Sequence, residues 1–271
     1  MKPIDIDECH RILLSLAAEF DKICRKHRIP YYMIGGTMLG AIRHKGFIPW
    51  DDDMDFGVPR THYDRLMTIL SKELPPDFRP LPLNRADLVI SNFLKIDDLH
   101  TQIVDSWLDK TVRLGINIDI FPLDDGLKTR FGTLFFVSCI TFLLRIKDYL
   151  FYDPDKRSRF KKQIAKWTAI LFPLDMDKLL KYIDGCIRRH TLPQSDFYVN
   201  YYGRWGKKEV IRKVHFGTPR EYEFEAAKFY GVAHPEVYLA RLYGNYMQLP
   251  PEEKQVIHAV EMYYLNPSDS R

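Results

Sequence analysis

Aspartates alternate with apolar residues in DMDFGV (53–58) and again in GINIDIF (115–121), and this repeated pattern constrains the fold more than any other feature of the chain. A strand turns successive side chains to opposite faces, so Met54, Phe56 and Val58 are expected to enter a core while Asp53 and Asp55 project together. The same parity sets Ile116, Ile118 and Ile120 on one face and Asn117, Asp119 and Phe121 on the other. If the two strands are neighbours, Asp119 completes a three-carboxylate cluster. Such a cluster repels itself and persists where a hard cation neutralises it, as in magnesium sites for phosphoryl transfer. An acidic run in isolation reads as a solvated loop. The apolar alternation on both strands favours the cluster.

The flanking patterns indicate an α/β fold. Ile12, Leu13, Leu16, Phe20 and Ile23 recur at helical spacing from Asp7 to His27, and Pro30 stops the helix. YYMI (31–34) reads as a short strand, and Gly35 and Gly36 make a turn. Thr37 is placed to cap a helix reaching about Lys45. A helix from about Thr61 to Leu74 and two short strands between 90 and 104 follow, so the sheet core is expected in the first half. Residues 127–192 read as helical. The remainder reads as short mixed elements ending in a helix around Glu252 to Met262.

With 46% apolar and 28% charged residues in 271, the composition excludes a disordered tail, a collagen-like repeat and a disulfide mini-scaffold. A net charge of +4 does not call for nucleic acid, and none is expected as a partner. Cys9, Cys24, Cys139 and Cys186 lack zinc-ligand spacing. The first two share a helix at roughly 22 Å, too far for a disulfide, so all are expected as thiols. The N-terminal residues carry no apolar h-region, which makes the cytoplasm the expected location.

The apolar stretch 131–144 is too short to cross a bilayer, which takes roughly 20 residues. Ten basic residues against three acidic ones fall within 127–170. Two readings stand level: an interfacial helix on an anionic leaflet, or a buried helix with a solvated basic partner.

A Gly-Gly turn between strand and helix aims backbone N–H groups and the helix dipole at an anion. Gly35, Gly36 and Thr37 are therefore candidates for phosphate binding. Arg43, His44 and Lys45 lie between this turn and the acidic strand and supply cations. Lys95 is a further candidate, although a lysine on a sheet edge is an equal reading.

GGTMLGAIRHKGFIPWDDDMDF (35–56) resembles the signature of the LicD family of phosphocholine transferases. FLKIDDLHT (93–101), INIDIFPLDDG (116–126) and RLYGNYMQLPPEEKQVIH (241–258), which includes His258, are similar to further family segments. The family in turn resembles the nucleotidyltransferase superfamily, with a Gly-Gly turn, a DxD strand and a third acid on a later strand. The resemblance implies a nucleotidyltransferase-like mixed β-sheet core flanked by helices, with a helical insertion. It divides the chain into a catalytic core at 1–126, an insertion at 127–195 and a C-terminal part, 196–271, completing the catalytic domain.

The implied reaction moves phosphocholine from CDP-choline to a sugar hydroxyl of a cell-wall, teichoic-acid or related glycan precursor and releases CMP. It implies Mg2+ or Mn2+ on Asp53, Asp55 and Asp119, with Asp119 holding a second metal or taking the acceptor's proton. A lipid-linked acceptor would bring the protein to the inner face of the cell membrane. Choline cannot donate hydrogen bonds, so its recognition needs aromatic faces or carboxylates. Trp50 is the first candidate, followed by Tyr202 and Trp205, each with a packing role as the alternative. Two competing readings are transfer of another phospho-substituent from a different nucleotide and a non-catalytic glycan- or membrane-binding module.

Overall fold

The computed structural model describes residues 2–81, 92–104, 114–151, 176–191, 194–255 and 261–265. Helix α1 (Ile6–Lys26) buries Cys9, Leu13, Leu16, Ala17, Phe20, Ile23 and Cys24 along one stripe. Asp5 caps it by accepting the Glu8 N–H at 2.8 Å, and Arg25 and Lys26 complement the dipole at its other end. All four cysteines are free.

The main sheet runs in the order β10 (Arg220–Phe224), β11 (Ala227–Gly231), β2 (Tyr32–Met33), β3 (Asp55–Pro59), β7 (Asn117–Asp125), β5 (Leu94–Asp98) and β4 (Phe78–Leu81). It is mixed: β3 and β7 are parallel, whereas β5 runs antiparallel to β7. One face carries Phe56, Val58, Ile118, Ile120, Leu94 and Ile96, each at most 1% exposed. Helix α1 and helix α3 (Arg60–Glu73) pack on this sheet, with Phe20 4.9 Å from Phe56 and the Tyr63 hydroxyl bonded to Ile120 O at 2.7 Å. Burying each such side chain stabilises the fold by about 1.5–3 kcal/mol relative to exposure. The opposite face is left for Asp55, Asp119 and Lys95.

Two strands of this sheet come from the last third of the chain. The β10–β11 hairpin turns at Glu225, in left-handed backbone at φ 53°, and sets β11 parallel to β2. A separate three-stranded sheet joins β1 (Lys2–Pro3), β12 (Glu261–Tyr264) and β6 (Thr101–Val104).

Helices α4 (Arg130–Phe151) and α5 (Met176–His190) share a second apolar cluster with β8 (Phe197–Val199) and β9 (Val210–Arg212), centred on Val137, Ile140, Ile183, Ile187 and Val199. Strand β8 pairs with the end of β7, which ties this cluster to the sheet. No helix among the described residues is long and apolar enough to cross a membrane. The short helix α6 (Lys213–Phe216) and helix α7 (Pro235–Tyr243) follow β9 in the chain.

Two local expectations change. Thr37 lies inside α2 (Gly35–Arg43), whose cap position is Ile34; buried at 3% exposure, its hydroxyl accepts the Asp55 N–H instead. Where a closing helix is expected, the described residues form a 3-10 turn, Glu252–Lys254, and strand β12. Pairing of Met262 with Ile103, with Met262 buried and Glu261 exposed, overrides the local helical pattern. Lys156, Arg157, Arg159, Lys161, Lys162, Lys166 and His258 lie outside the described residues.

Candidate active site

Register across three strands sets Asp55 beside Asp119 and Asp119 beside Lys95. Lys95 forms a salt bridge to Asp119 Oδ1 and donates to Asn117 Oδ1 at 3.0 Å; each member of the ion pair is 15% exposed. The third acid is thus delivered to the cluster with a cation already against it.

The start of α2 closes on the same point. Gly35 has φ +54°, and a Cβ there would stand 2.8 Å from Asp55 Oδ2, while one on Gly36 would stand 2.7 Å from Asp51 Oδ2. Glycine at both positions lets two carboxylates approach the positive end of the helix dipole. The Asp55 backbone is held at both ends, its N–H donating to Thr37 Oγ1 at 2.7 Å and its carbonyl accepting the Ile34 N–H at 3.0 Å. The Gly35 N–H, however, donates to the Tyr238 hydroxyl at 2.9 Å, so the turn offers an anion one donor fewer than its pattern implies.

Burial, followed by the charges of Asp53, Asp119 and Asp51, pushes the Asp55 carboxyl well above the usual carboxylate range, with Lys95 pulling against them. Burial also raises Asp119, and Lys95 opposes that shift. A site that holds three aspartates around one carboxyl is short of positive charge. Their hard oxygens suit Mg2+ or Mn2+. Among the described residues no three His, Cys, Asp or Glu side chains gather at metal-ligand spacing. Asp53 and Asp55 are the carboxylates on the cleft wall that such a cation would meet, whereas Asp119 is paired with Lys95.

These groups line a cleft of about 960 Å³. Gly35, Gly36, Asp53, Asp55 and Asp119 form one part of its wall, and Arg43, Trp50, Tyr202 and Trp205 also reach it. Arg43 donates to Tyr246 O at 2.9 Å, and burial lowers its pKa against the opposing charges of Tyr243 and Asp51. Tyr202 is tethered from behind, its hydroxyl donating to Asp184 Oδ1 at 3.2 Å. The other candidates stay off the cleft wall: Thr37 beneath Asp55, Lys95 behind Asp119, His44 at the end of α2, and Lys45 exposed in left-handed backbone at φ 61°.

Four further lining residues escape a reading by motif: Asp51, Glu209, Tyr238 and Tyr243. Asp51 is the first residue of the acidic run, and the alternation with apolar residues that marks a strand begins only at Asp53. Tyr238 and Tyr243 come from α7, where tyrosines at i and i+5 carry no signal of a site. Glu209 follows Lys207 and Lys208 in GKKE and reads as one charge on a solvated turn.

The model of the LicD/FKTN/FKRP nucleotidyltransferase domain matches residues 28–137. Lipopolysaccharide cholinephosphotransferase LicD of Haemophilus influenzae is 29% identical over 282 residues, covering 98% of this chain and 100% of its own length. Uncharacterized protein RT0683 of Rickettsia typhi is 38% identical over 69 residues, 26% of this chain and 21% of its own. Among solved structures, terminal uridylyl transferase 4 from Trypanosoma brucei aligns over 67% of this chain and 51% of its own with 12% identity, and its TM-score of 0.22 is too low to establish a shared fold.

Proposed function

Because this chain carries a LicD-family nucleotidyltransferase domain across residues 28–137, we propose that it transfers phosphocholine from CDP-choline to a sugar hydroxyl of a cell-surface glycan precursor and releases CMP. The observation that carries this reading is the register of β3, β7 and β5. It lines up Asp55, Asp119 and Lys95 on the cleft side of the sheet, beside the start of α2. A cholinephosphotransferase of similar length is its relative in Haemophilus influenzae.

In the proposed reaction the acceptor oxygen forms a bond to the choline-bearing phosphorus. The bond from that phosphorus to the bridging oxygen breaks, and CMP departs with the electron pair. Asp53 and Asp55 would hold Mg2+ or Mn2+, which when bound offsets charge on the pyrophosphate oxygens. Arg43, on the cleft wall, stabilises negative charge that grows on the leaving phosphate. The positive end of α2 acts in the same direction. Asp119 takes the proton of the attacking hydroxyl, and the Lys95 salt bridge keeps its carboxylate anionic and oriented.

The exposed side of α4 supports a lipid-linked acceptor. Phe131, Phe135 and Phe142 are 82%, 66% and 65% exposed, and the sequence after them is basic through Lys166. Apolar rings beside a basic segment suit an anionic leaflet, here the inner face of the cell membrane.

Acceptor-dependent CMP release from CDP-choline tests the reading. It should require Mg2+ or Mn2+ and vanish in Asp53→Asn and Asp119→Asn variants that melt as folded proteins. Normal turnover in either variant would remove that carboxylate from the mechanism. CMP release from CDP-ethanolamine in place of CDP-choline would change the donor.

A further inference from the structure

Glu209 shares the cleft with the aspartates but has no part in the chemistry above. It ends the 3-10 turn Gly206–Glu209 and is 7% exposed. Its Oε1 accepts one long hydrogen bond, from the Trp205 N–H at 3.4 Å. Among the described residues no Lys, Arg or His side chain pairs with it. The cations nearest in the chain and on α7 are committed elsewhere. Lys208 donates to Leu242 O at 2.6 Å and sits 5.1 Å from the Trp205 ring centre, and Arg241 donates to the Lys207 and Lys208 carbonyls at 3.0 and 2.9 Å. A Cβ on Gly203 would stand 2.4 Å from Glu209 Oε1, so the chain keeps a glycine where the carboxylate needs room. Burial raises the Glu209 pKa to about 7.

A buried carboxylate without a cation is costly, so one that faces a cleft is complementary to a cationic ligand. The aromatic surroundings narrow the ligand. Trp205 meets Tyr243 edge to face at 5.1 Å, and both rings line the cleft with Glu209. Phosphocholine separates its phosphorus and nitrogen by only an oxygen and two carbons, so a headgroup subsite must adjoin the phosphate subsite. The Tyr238 and Tyr243 phenols meet that requirement, because the charges of Glu209 and Asp55 both push them upward after burial itself.

We propose that Glu209, walled by Trp205 and Tyr243, forms the subsite that receives the quaternary ammonium of the donor. The inference rests on the phosphocholine-transfer reading and adds the residue that selects the headgroup. A quaternary ammonium donates no hydrogen bond. It is held by ring faces and by a carboxylate whose charge no strong donor has quenched. A primary ammonium would need acceptors for its N–H groups, which this aromatic wall does not multiply.

The test uses the full chain in Mg2+, with CDP-choline, its uncharged isostere carrying 3,3-dimethylbutanol in place of choline, and CMP. Calorimetry should show wild-type protein binding CDP-choline about tenfold or more tightly than the uncharged isostere. Glu209→Gln should reduce that difference to the part the ring faces supply and leave CMP affinity unchanged. A folded Glu209→Gln variant that keeps the full wild-type preference for the charged ligand overturns the subsite while leaving the transfer reading intact. Wild-type protein that binds CDP-choline no better than CMP overturns the transfer reading itself. If the variant does not fold, proton release decides. Titrations of wild-type protein at pH 7 in buffers of different ionisation enthalpy should show more protons released with CDP-choline than with the isostere, because the bound ammonium ionises Glu209 whereas the pyrophosphate and its Mg2+ act alike in both ligands. Of the other titratable groups around the turn, Tyr243 meets the ammonium with its ring face and keeps its proton at pH 7, burial holding its pKa far above that, and Arg204, Lys207, Lys208, Tyr238 and Arg241 have no part in holding the ammonium, so equal proton release with both ligands overturns the subsite.

Discussion

Glu209 trades stability for charge, and the exchange depends on pH. Burial raises its pKa from 4.5 to about 7, so the native state binds the proton more tightly than the unfolded chain does. The penalty is absent below pH 4.5, grows as the unfolded carboxyl ionises, and is complete above pH 7, where it amounts to roughly 3 kcal/mol. Glu209→Gln removes it. Thermal melts should therefore show the variant gaining on wild-type protein from pH 5 to pH 8, and a gap that stays constant would mean that Glu209 is no more costly buried than exposed. At this scale the sequence was most informative where side chains alternate. Asp53, Asp55 and Asp119 could be named from strand parity and lie on the cleft wall. Glu209, Tyr238 and Tyr243 could not, because their burial comes from segments far apart in the chain.

Elements are joined around the site by ion pairs as well as by apolar contacts. Arg60 of α3 grips Asp124 of β7 with two hydrogen bonds of 2.7 and 2.8 Å, and Asp184 of α5 lies 3.3 Å from the same guanidinium. Asp124 is fully buried, so removing Arg60 leaves a carboxylate with no compensation in a low-dielectric interior. Arg60→Ala should destabilise the protein by about 3–5 kcal/mol in urea unfolding. Replacing both partners with apolar side chains, Arg60→Met together with Asp124→Leu, should cost far less. Equal losses in the single and double variants would show that packing, not the charge, holds these elements together. Helices α1 and α3 were legible because their apolar spacing reports directly on burial. The closing segment was not: its helical pattern gives way to pairing with β6, a partner about 160 residues earlier in the chain.

For the whole molecule, the sheet order explains why the cleft draws on both ends of the chain. Strands β3, β5 and β7, with the segment leading into β3, supply the acids and their lysine, whereas α7 and the 3-10 turn before β9 supply the aromatic and Glu209 wall. The motifs of the first half make the acidic side readable. The other wall depends on where β8, β9 and the β10–β11 hairpin dock, which short strands do not announce. The row of exposed phenylalanines on α4 belongs to this scale too. Replacing Phe131, Phe135 and Phe142 together with Ser should leave the melting temperature near that of wild type, since none is in the core, and should reduce co-sedimentation with anionic vesicles. Undiminished vesicle binding would remove α4 from membrane contact.

The proposed transfer requires the acidic cleft to bind a choline nucleotide with the help of a divalent cation. Calorimetric titration of CDP-choline, with CDP-ethanolamine and CMP as comparators, in Mg2+ and again in EDTA, tests it most directly. Metal-dependent binding with preference for CDP-choline is the predicted result, and the absence of binding by any cytidine nucleotide would contradict it.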